Sequence, residues 1–167
     1  MSGPRRVVHQ ADALEWLEAN ELPDGASILT SLPNVDEFSH RDLERWREWF
    51  DAAVQRVLKS LPRRGAAVFF QTDIRHEGIW VDKSFLVQRA AERAGVSMLW
   101  HKIALRAPPG TNTNERPGYA HLLCFAHELR HVASNACSDV RERLGSMTWP
   151  RAIGIDVTRF TVEWLRD

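Results

Sequence analysis

Two short polar stretches near the start of the chain carry residue types that can hold a ligand and a reacting group. Asp12 follows the short apolar run Val7-Val8, and the loop Thr30-Ser31-Leu32-Pro33-Asn34 follows the apolar run Ser27-Ile28-Leu29. Both stretches are expected at the carboxyl ends of strands, where open α/β sheets bind their ligands. The loop offers a hydroxyl and backbone carbonyls, and its proline would fix the direction of one carbonyl. These groups could accept the hydrogens of an amine.

Ordinary structural roles also account for these residues. Asp12 and Glu15, three residues apart, form a capping-box-like pair at the start of a helix, and such a cap is worth about 1 kcal/mol. The segment 31–34, taken alone, is typical of an ordinary turn. A cap and a ligand contact can coexist at Asp12, so the two interpretations do not exclude each other.

The composition is that of one globular domain, 1–167. Lys and Arg together number 22, as do Asp and Glu, so no overall field favours nucleic acid or an anionic membrane. Arg41, Arg45 and Arg47 could form a local basic patch, although solvated helix faces are the more common outcome. Cys124 and Cys137 make no disulfide framework, and no apolar run reaches the ~18 residues of a membrane helix. We therefore expect a cytoplasmic protein without membrane contact.

Hydrophobic periodicity predicts strands that alternate with helices, which indicates an α/β sheet with crossover connections. The segment 66–70 is a continuous apolar run, as expected of a buried parallel strand. The connection between 96–105 and 119–126 predicts an antiparallel pair. The predicted elements are, in chain order, a strand at 7–10, a helix from 12, a strand at 27–30, a helix over 42–61, a strand at 66–70, a helix over 82–94, strands at 96–105 and 119–126, and a last helix over 157–165.

The order of these segments resembles the circularly permuted, S-adenosylmethionine-dependent amino-methyltransferases that act on adenine or cytosine. In that family an acidic residue follows one strand, and a Ser/Asp/Asn-Pro-Pro-aromatic loop follows the next. The segments 68–73, 100–102, 116–125 and 145–154 are similar to later family segments, so the similarity spans nearly the whole chain. The resemblance implies an α/β fold, an incomplete Rossmann-like methyltransferase sheet that is mostly parallel with one antiparallel strand pair.

The resemblance also implies S-adenosylmethionine as the cofactor and an amino group, most simply on a nucleic-acid base, as the methyl acceptor. Asp12 would contact the adenosine of the cofactor, with Thr30 beside it. Trp149 and Pro150 belong to the segment that packs on the methionine end of the cofactor. No metal is implied.

The catalytic element would be the loop formed by Ser31, Leu32, Pro33 and Asn34. An aromatic amine is a poor nucleophile because its lone pair is delocalised into the ring. The Ser31 side chain and the carbonyl of Leu32 or Pro33 would grip the two amine hydrogens and free that lone pair. Catalysis would then be mainly positioning for in-line transfer.

The chain departs from the family pattern in the loop and in the cofactor site. Leu32 stands where the first proline would be, and Asn34 stands where an aromatic residue would stack on the target base, a contact worth about 1–3 kcal/mol. Phe38 or Trp80 could replace that aromatic residue. The nine glycines include no Gly-x-Gly, so the glycine-rich cofactor loop is missing. We expect this chain alone to bind S-adenosylmethionine weakly or not at all.

The same gap removes the two family strands that would stand between strands 7–10 and 27–30. We therefore expect these strands to pair directly, or an exposed sheet edge to associate with a complementary chain or a second copy. Three functions follow: a truncated or split enzyme that needs a complementary half, an inactive methyltransferase-like binding module, or a zinc-dependent hydrolase. The last rests on His127-Glu128-Leu129-Arg130-His131, which fits His-Glu-x-x-His, although a solvated turn after a strand would also explain this segment.

Overall fold

The computed structural model describes residues 7–113, 117–130, 139–142 and 155–166. None of the helices in these residues is both long and apolar enough to cross a membrane. The helices are α1 (Ala13–Ala19), α2 (Leu43–Lys59), α3 (Lys83–Ala94) and α4 (Ile155–Arg166), with a 3-10 helix at Val35–Glu37. The strands are β1 (Ile28–Thr30), β2 (Ala66–Gln71), β3 (Ile74–His76), β4 (Ile79–Val81), β5 (Ser97–Leu105), β6 (Tyr119–Ala126) and β7 (Val140–Glu142).

Five strands form one sheet in the order β1-β2-β6-β5-β7, and β3 and β4 form a separate hairpin. β1 is parallel to β2 and β5 is parallel to β7, whereas β6 is antiparallel to both of its neighbours, β2 and β5. Four strands therefore point one way, and β6 alone is reversed. The predicted α/β fold, with a mostly parallel sheet and an antiparallel β5–β6 pair, is confirmed. The reversed strand adds a second antiparallel ladder with β2.

Helices α2 and α3 cover one face of the sheet. Asp42 and Asp82 cap their N-termini by accepting hydrogen bonds from backbone N–H groups. Gly95 ends α3 with a φ of 70°, a left-handed conformation that glycine adopts without steric cost. Trp46 and Phe50 on the apolar stripe of α2 are fully buried in the core beneath these helices. Both helices match the predicted ones to within a few residues, and they support the loop that follows β1.

The opposite face of the sheet carries a second apolar cluster. Val68, Leu122 and Cys124 are fully buried there, and Leu165 of α4 packs against the cluster. Helices thus lie on both faces of the sheet. Burial raises the pKa of the Cys124 thiol to about 12, because a thiolate in this apolar layer would lose its hydration.

The N-terminal segment differs from the prediction. Residues 7–10 form no strand, and Val7 and Val8 are 60% and 74% exposed. The expected direct pairing with β1 is therefore wrong. A strand is stable only where neighbouring strands satisfy its backbone groups, and β1 pairs with β2 alone in the described part of the chain. Among the described residues β1 is consequently an edge strand, as expected of a chain without the two family strands.

A hairpin that the periodicity did not predict lies between β2 and α3. β3 and β4 are joined by Glu77 and Gly78, whose φ angles are 49° and 80°. Two successive positive φ angles are typical of a type I′ turn, which matches the twist of the strands it connects. The hairpin brings the chain back to the carboxyl end of β2, where α3 begins.

Candidate functional site

The 31–34 loop begins where β1 ends, at the edge of the sheet. Ser31 is exposed, whereas Leu32 is only 7% exposed and packs in the core. The carbonyl of Pro33 accepts a hydrogen bond from Nε1 of Trp46 in α2 over 3.2 Å. The loop therefore has a core side, which α2 and α3 contact, and an outer side at Ser31.

A buried lysine, Lys83, holds the loop from the core side. Its Nζ donates to the carbonyl of Leu32 and to Oδ1 of Asn34, each over 2.9 Å. Lys83 is 1% exposed. Desolvation lowers the pKa of Lys83 from 10.5 to about 7, although the carboxylates of Glu37 and Asp73 oppose this shift. Sequence reasoning missed this role, because lysine is almost never fully buried.

Both carbonyls that were expected to face a target amine thus accept hydrogen bonds from the chain itself. The carbonyl of Leu32 binds Lys83, and the carbonyl of Pro33 binds Trp46. The carbonyls of Leu32 and Pro33 are therefore directed toward the core side of the loop. Ser31 is exposed and has no hydrogen-bond partner within the described residues.

A row of hydrogen-bonded side chains continues behind the lysine. The backbone N–H of Lys83 donates to Oδ1 of Asp73 over 2.9 Å. Oδ2 of Asp73 lies 3.2 Å from Nε2 of His121, and Nδ1 of His121 lies 2.9 Å from Nε2 of His101. The two ring nitrogens of His121 thus contact different groups, Asp73 at Nε2 and His101 at Nδ1. The row connects the end of β2 to β6 and β5.

Three nearby side chains have donor atoms of the kind that bind metals. Donor atoms of Asp73, Asp82 and His121 lie within 4.8 Å of one another. Hydrogen bonds within the chain already account for their positions: Asp82 accepts from the backbone N–H of Phe85 as the cap of α3, and Asp73 and His121 bind each other. Hydrogen bonds within the chain thus position all three side chains, with Asp82 in the cap of α3 and Asp73 and His121 in the row.

Gln71 lies beside this network, within the segment 68–73 that resembles a family strand, but the sequence analysis assigned it no role of its own. It is fully buried, and neither Oε1 nor Nε2 has a hydrogen-bond partner in the described part of the chain. Gln71 is directly across from His121 in the β2–β6 ladder, so both side chains lie on the same face of the sheet. The position of Gln71 and Asp73 at the carboxyl end of a strand was the available signal, since such ends hold ligands in open α/β sheets.

Asp12 is the N-cap of α1. Its Oδ1 accepts from the backbone N–H groups of Leu14 and Glu15 over 2.9 and 3.0 Å, so the predicted structural role is confirmed. Within the described residues no hydrogen bond connects Asp12 to the 31–34 loop. A contact between Asp12 and a cofactor stays a prediction.

The other residues predicted to contact the cofactor or the target base differ in how far they are buried. Thr30 is half-buried at the end of β1. Phe38 packs edge-on against Trp49, with 4.8 Å between ring centroids, whereas Trp80 is 45% exposed on β4. Of the two candidates for base stacking, Trp80 is the more exposed, and the guanidinium of Arg75 lies over its ring, 5.6 Å from the centroid. Trp149 and Pro150, predicted to contact the cofactor, lie outside the described residues.

The described part of the His-Glu-x-x-His segment lacks the geometry of a zinc site. The chain after β6 is not helical up to residue 130, whereas this motif needs both histidines on one helix face. Nε2 of His127 lies 3.2 Å from the carbonyl oxygen of Leu58, and Glu128 forms an ion pair with an arginine. His131 lies outside the described residues.

Comparison with solved structures identifies the fold that positions these residues. PvuII DNA methyltransferase (cytosine-N4-specific) matches with a TM-score of 0.61 and 15% identity, over 92% of this chain and 61% of its own. The chain has the fold of a Rossmann-like methyltransferase. TTHA0409 from Thermus thermophilus, provisionally named a DNA modification methylase, matches with a TM-score of 0.54 and 18% identity, over 75% of this chain and 54% of its own. Its complex with S-adenosyl-L-methionine gives a TM-score of 0.54 and 17% identity.

Because these sequence identities are low, the comparison establishes similarity of fold alone. No protein-family model and no curated protein matches the chain. The chain spans 54% of TTHA0409 and 61% of the PvuII enzyme. It therefore corresponds to little more than half of these methyltransferase-fold proteins.

Proposed function

We propose that this chain is the substrate-facing part of an S-adenosylmethionine-dependent enzyme that methylates an amino group of a nucleic-acid base. The observation that carries the proposal is the position of the 31–34 loop, which follows β1 at the open edge of a sheet with a methyltransferase fold. Ligands of open α/β sheets bind beyond the carboxyl ends of the strands. A complementary part, in the same polypeptide or in another chain, would cover the edge of β1.

The role of the loop in this proposal is to position the target amine. The hydroxyl of Ser31 would accept one amine hydrogen. The hydrogen bonds that Leu32 and Pro33 accept on the core side fix the loop before the substrate arrives, which reduces the entropy lost on reaching the reactive geometry. Bound S-adenosylmethionine would supply an electrophilic methyl group.

In this proposal Asp12 and Thr30 would form part of the site for this cofactor. Asp12 uses Oδ1 for the helix cap, which leaves Oδ2 for the adenosine, and Thr30 adds a hydroxyl at the end of β1. The sequence contains no Gly-x-Gly, the type of loop that lets a backbone approach a nucleotide closely. The proposal therefore assigns the rest of the cofactor site to the complementary part.

A second candidate is an inactive module that binds the substrate without methylating it. One observation favours it: both loop carbonyls, of Leu32 and Pro33, already accept hydrogen bonds from side chains of the chain itself. Such a module would bind nucleic acid and would need no methyl donor.

Transfer of tritiated methyl groups from S-adenosylmethionine to duplex DNA tests the proposal, with the full native gene product and any chain that co-purifies with it. We expect labelled DNA. Ser31→Ala should lower the rate about a hundredfold, the order of loss seen when one positioned hydrogen-bonding group is removed from an active site.

Ser39→Ala is the matched control, since Ser39 is exposed outside the loop and its loss should leave the rate unchanged. DNA binding without label transfer would favour the inactive module. Label transfer that Ser31→Ala does not change would contradict the role assigned to the loop.

A further inference from the structure

Three consecutive loop residues are held from the core side by two side chains of distant elements. Nζ of Lys83 in α3 binds the carbonyl of Leu32 and Oδ1 of Asn34, each over 2.9 Å. Nε1 of Trp46 in α2 binds the carbonyl between them, that of Pro33, over 3.2 Å. Two helices therefore fix the backbone of the loop at the end of β1.

Lys83 is itself held in place. Its Nζ lies 5.3 Å from the ring centroid of Phe50 and 6.0 Å from that of Trp46. Its backbone N–H donates to Oδ1 of Asp73 over 2.9 Å. Since Lys83 is only 1% exposed, its amine binds groups inside the chain and not solvent. A buried donor in a fixed position orients the acceptors that bind it.

These hydrogen bonds determine which polar group the loop shows at the edge of β1. We propose that Lys83 is a positioning residue, which turns the carbonyl of Leu32 and the amide oxygen of Asn34 toward the core and leaves Ser31 as the acceptor for a target amine. This inference rests on the proposed function and deepens it. In this arrangement the exposed Ser31 hydroxyl would bind one of the two amine hydrogens.

Hydrogen–deuterium exchange of the isolated chain tests the positioning directly. Lys83→Met keeps the length and apolar contacts of the side chain and removes the donor, and replacing a buried charge by an apolar residue is often tolerated. We expect backbone amides of the segment 32–38 to exchange roughly tenfold faster in Lys83→Met, because the loop then opens more often. Exchange in β6 should not change.

Lys102→Met is the matched control. Lys102 is also a buried lysine, 6% exposed, but its amine pairs with Asp139, at the opposite edge of the sheet from the loop. The 32–38 segment should exchange at its unaltered rate in this variant. Unchanged exchange in a folded Lys83→Met protein, or an equal increase in both variants, would overturn the inference.

Asn34→Ala keeps the test decisive if Lys83→Met does not fold. This variant removes one of the two acceptors and leaves Lys83 bound to Leu32. We expect a smaller increase in exchange of the 32–38 segment, about threefold. No increase would overturn the inference.

Methyl-transfer kinetics provide a separate measurement. If Lys83 only stabilised the fold, kcat per folded molecule would not change. Lys83→Met should lower kcat at least tenfold per folded molecule, while KM for DNA changes by less than about twofold. A rise in kcat would contradict the inference, because it would mean that Lys83 competes with the target amine. If no variant and no unaltered protein transfers methyl groups, the proposed function fails, and the exchange experiment alone decides the role of Lys83.

Discussion

The core side and the outer side of the 31–34 loop differ in how the chain satisfies their polar groups. On the core side, Lys83 and Trp46 bind three acceptors in successive residues. On the outer side, Ser31 is exposed, and β1 has no second neighbouring strand among the described residues. The segment that precedes α1 is also exposed, with Val8 at 74%.

On the core side, the chain itself satisfies the polar groups of the loop. On the outer side, a ligand or another protein surface would have to do so. The core side is built from long-range contacts to α2 and α3, so changes there should lower stability. The outer side makes few contacts, so changes there should alter ligand binding more than folding. Measurements of stability can therefore distinguish the two sides before any activity is known.

Replacement of Trp46 should have the largest effect on the core side. Trp46 is fully buried, stacks near Phe50 and donates to the carbonyl of Pro33. We expect Trp46→Ala to lower the free energy of unfolding by about 3–5 kcal/mol. Trp46→Phe keeps most of the packing and should cost about 1 kcal/mol through the lost hydrogen bond. Urea denaturation followed by circular dichroism measures both, and equal losses would show that packing contributes less than the hydrogen bond.

The pH dependence of the free energy of unfolding tests whether burial lowers the pKa of Lys83. Burial lowers its pKa from 10.5 to about 7 in the folded chain, so above about pH 7 the unfolded chain binds more protons and stability rises with pH. Relative to Lys83→Met, the free energy of unfolding should rise by roughly 1–2 kcal/mol from about pH 7 to about pH 8.5.

Because Lys83→Met is the reference, the contributions of the other titrating groups cancel in this comparison. Burial raises the pKa of Cys124 and, more weakly, that of Tyr119, and both groups are present in the two proteins. A difference in stability that is constant over this pH range would contradict the lowered pKa of Lys83.

The smallest effect is expected at Asp12, the N-cap of α1, which has no hydrogen bond to the 31–34 loop within the described residues. Asp12→Ala removes the cap of α1 and should lower the free energy of unfolding by about 1 kcal/mol, whereas Asp12→Ser keeps an acceptor for the N–H groups and should restore most of it. Thermal denaturation of both variants checks this. If serine is as destabilising as alanine, the hydrogen bonds of the cap are not what Asp12 contributes to stability.

Most of the sheet and the helices were predictable because their signals are local. The apolar stripe of α2 repeats every three to four residues, and β2 is a continuous apolar run, so each pattern specifies its element without reference to the rest of the chain. The segment 7–10 has a strand-like composition, but a strand exists only where partners complete its hydrogen bonds. The residues 7–10 themselves therefore could not show that this segment forms no strand beside β1.

The loop was found in the sequence, whereas its supports were not. Ser31 and Pro33 are chemically distinctive and close together, so local inspection detects them. Lys83 acts across 51 and 49 positions of sequence, on Leu32 and Asn34, and a lysine at the start of a helix normally predicts a solvated side chain. The β3–β4 hairpin was missed for a related reason: Glu-Gly is a weaker signal for its turn than Asn-Gly or Asp-Gly.

The thiol of Cys124 gives the centre of this sheet a chemical marker. Cys124 lies on the reversed strand β6, paired with Val68 of β2 on one side and Trp100 of β5 on the other. It is fully buried, and its pKa of about 12 leaves almost no thiolate at neutral pH. An alkylating reagent can therefore modify it only when the apolar layer on this face of the sheet opens. The rate of that modification, read by mass spectrometry, reports how often this layer opens under native conditions.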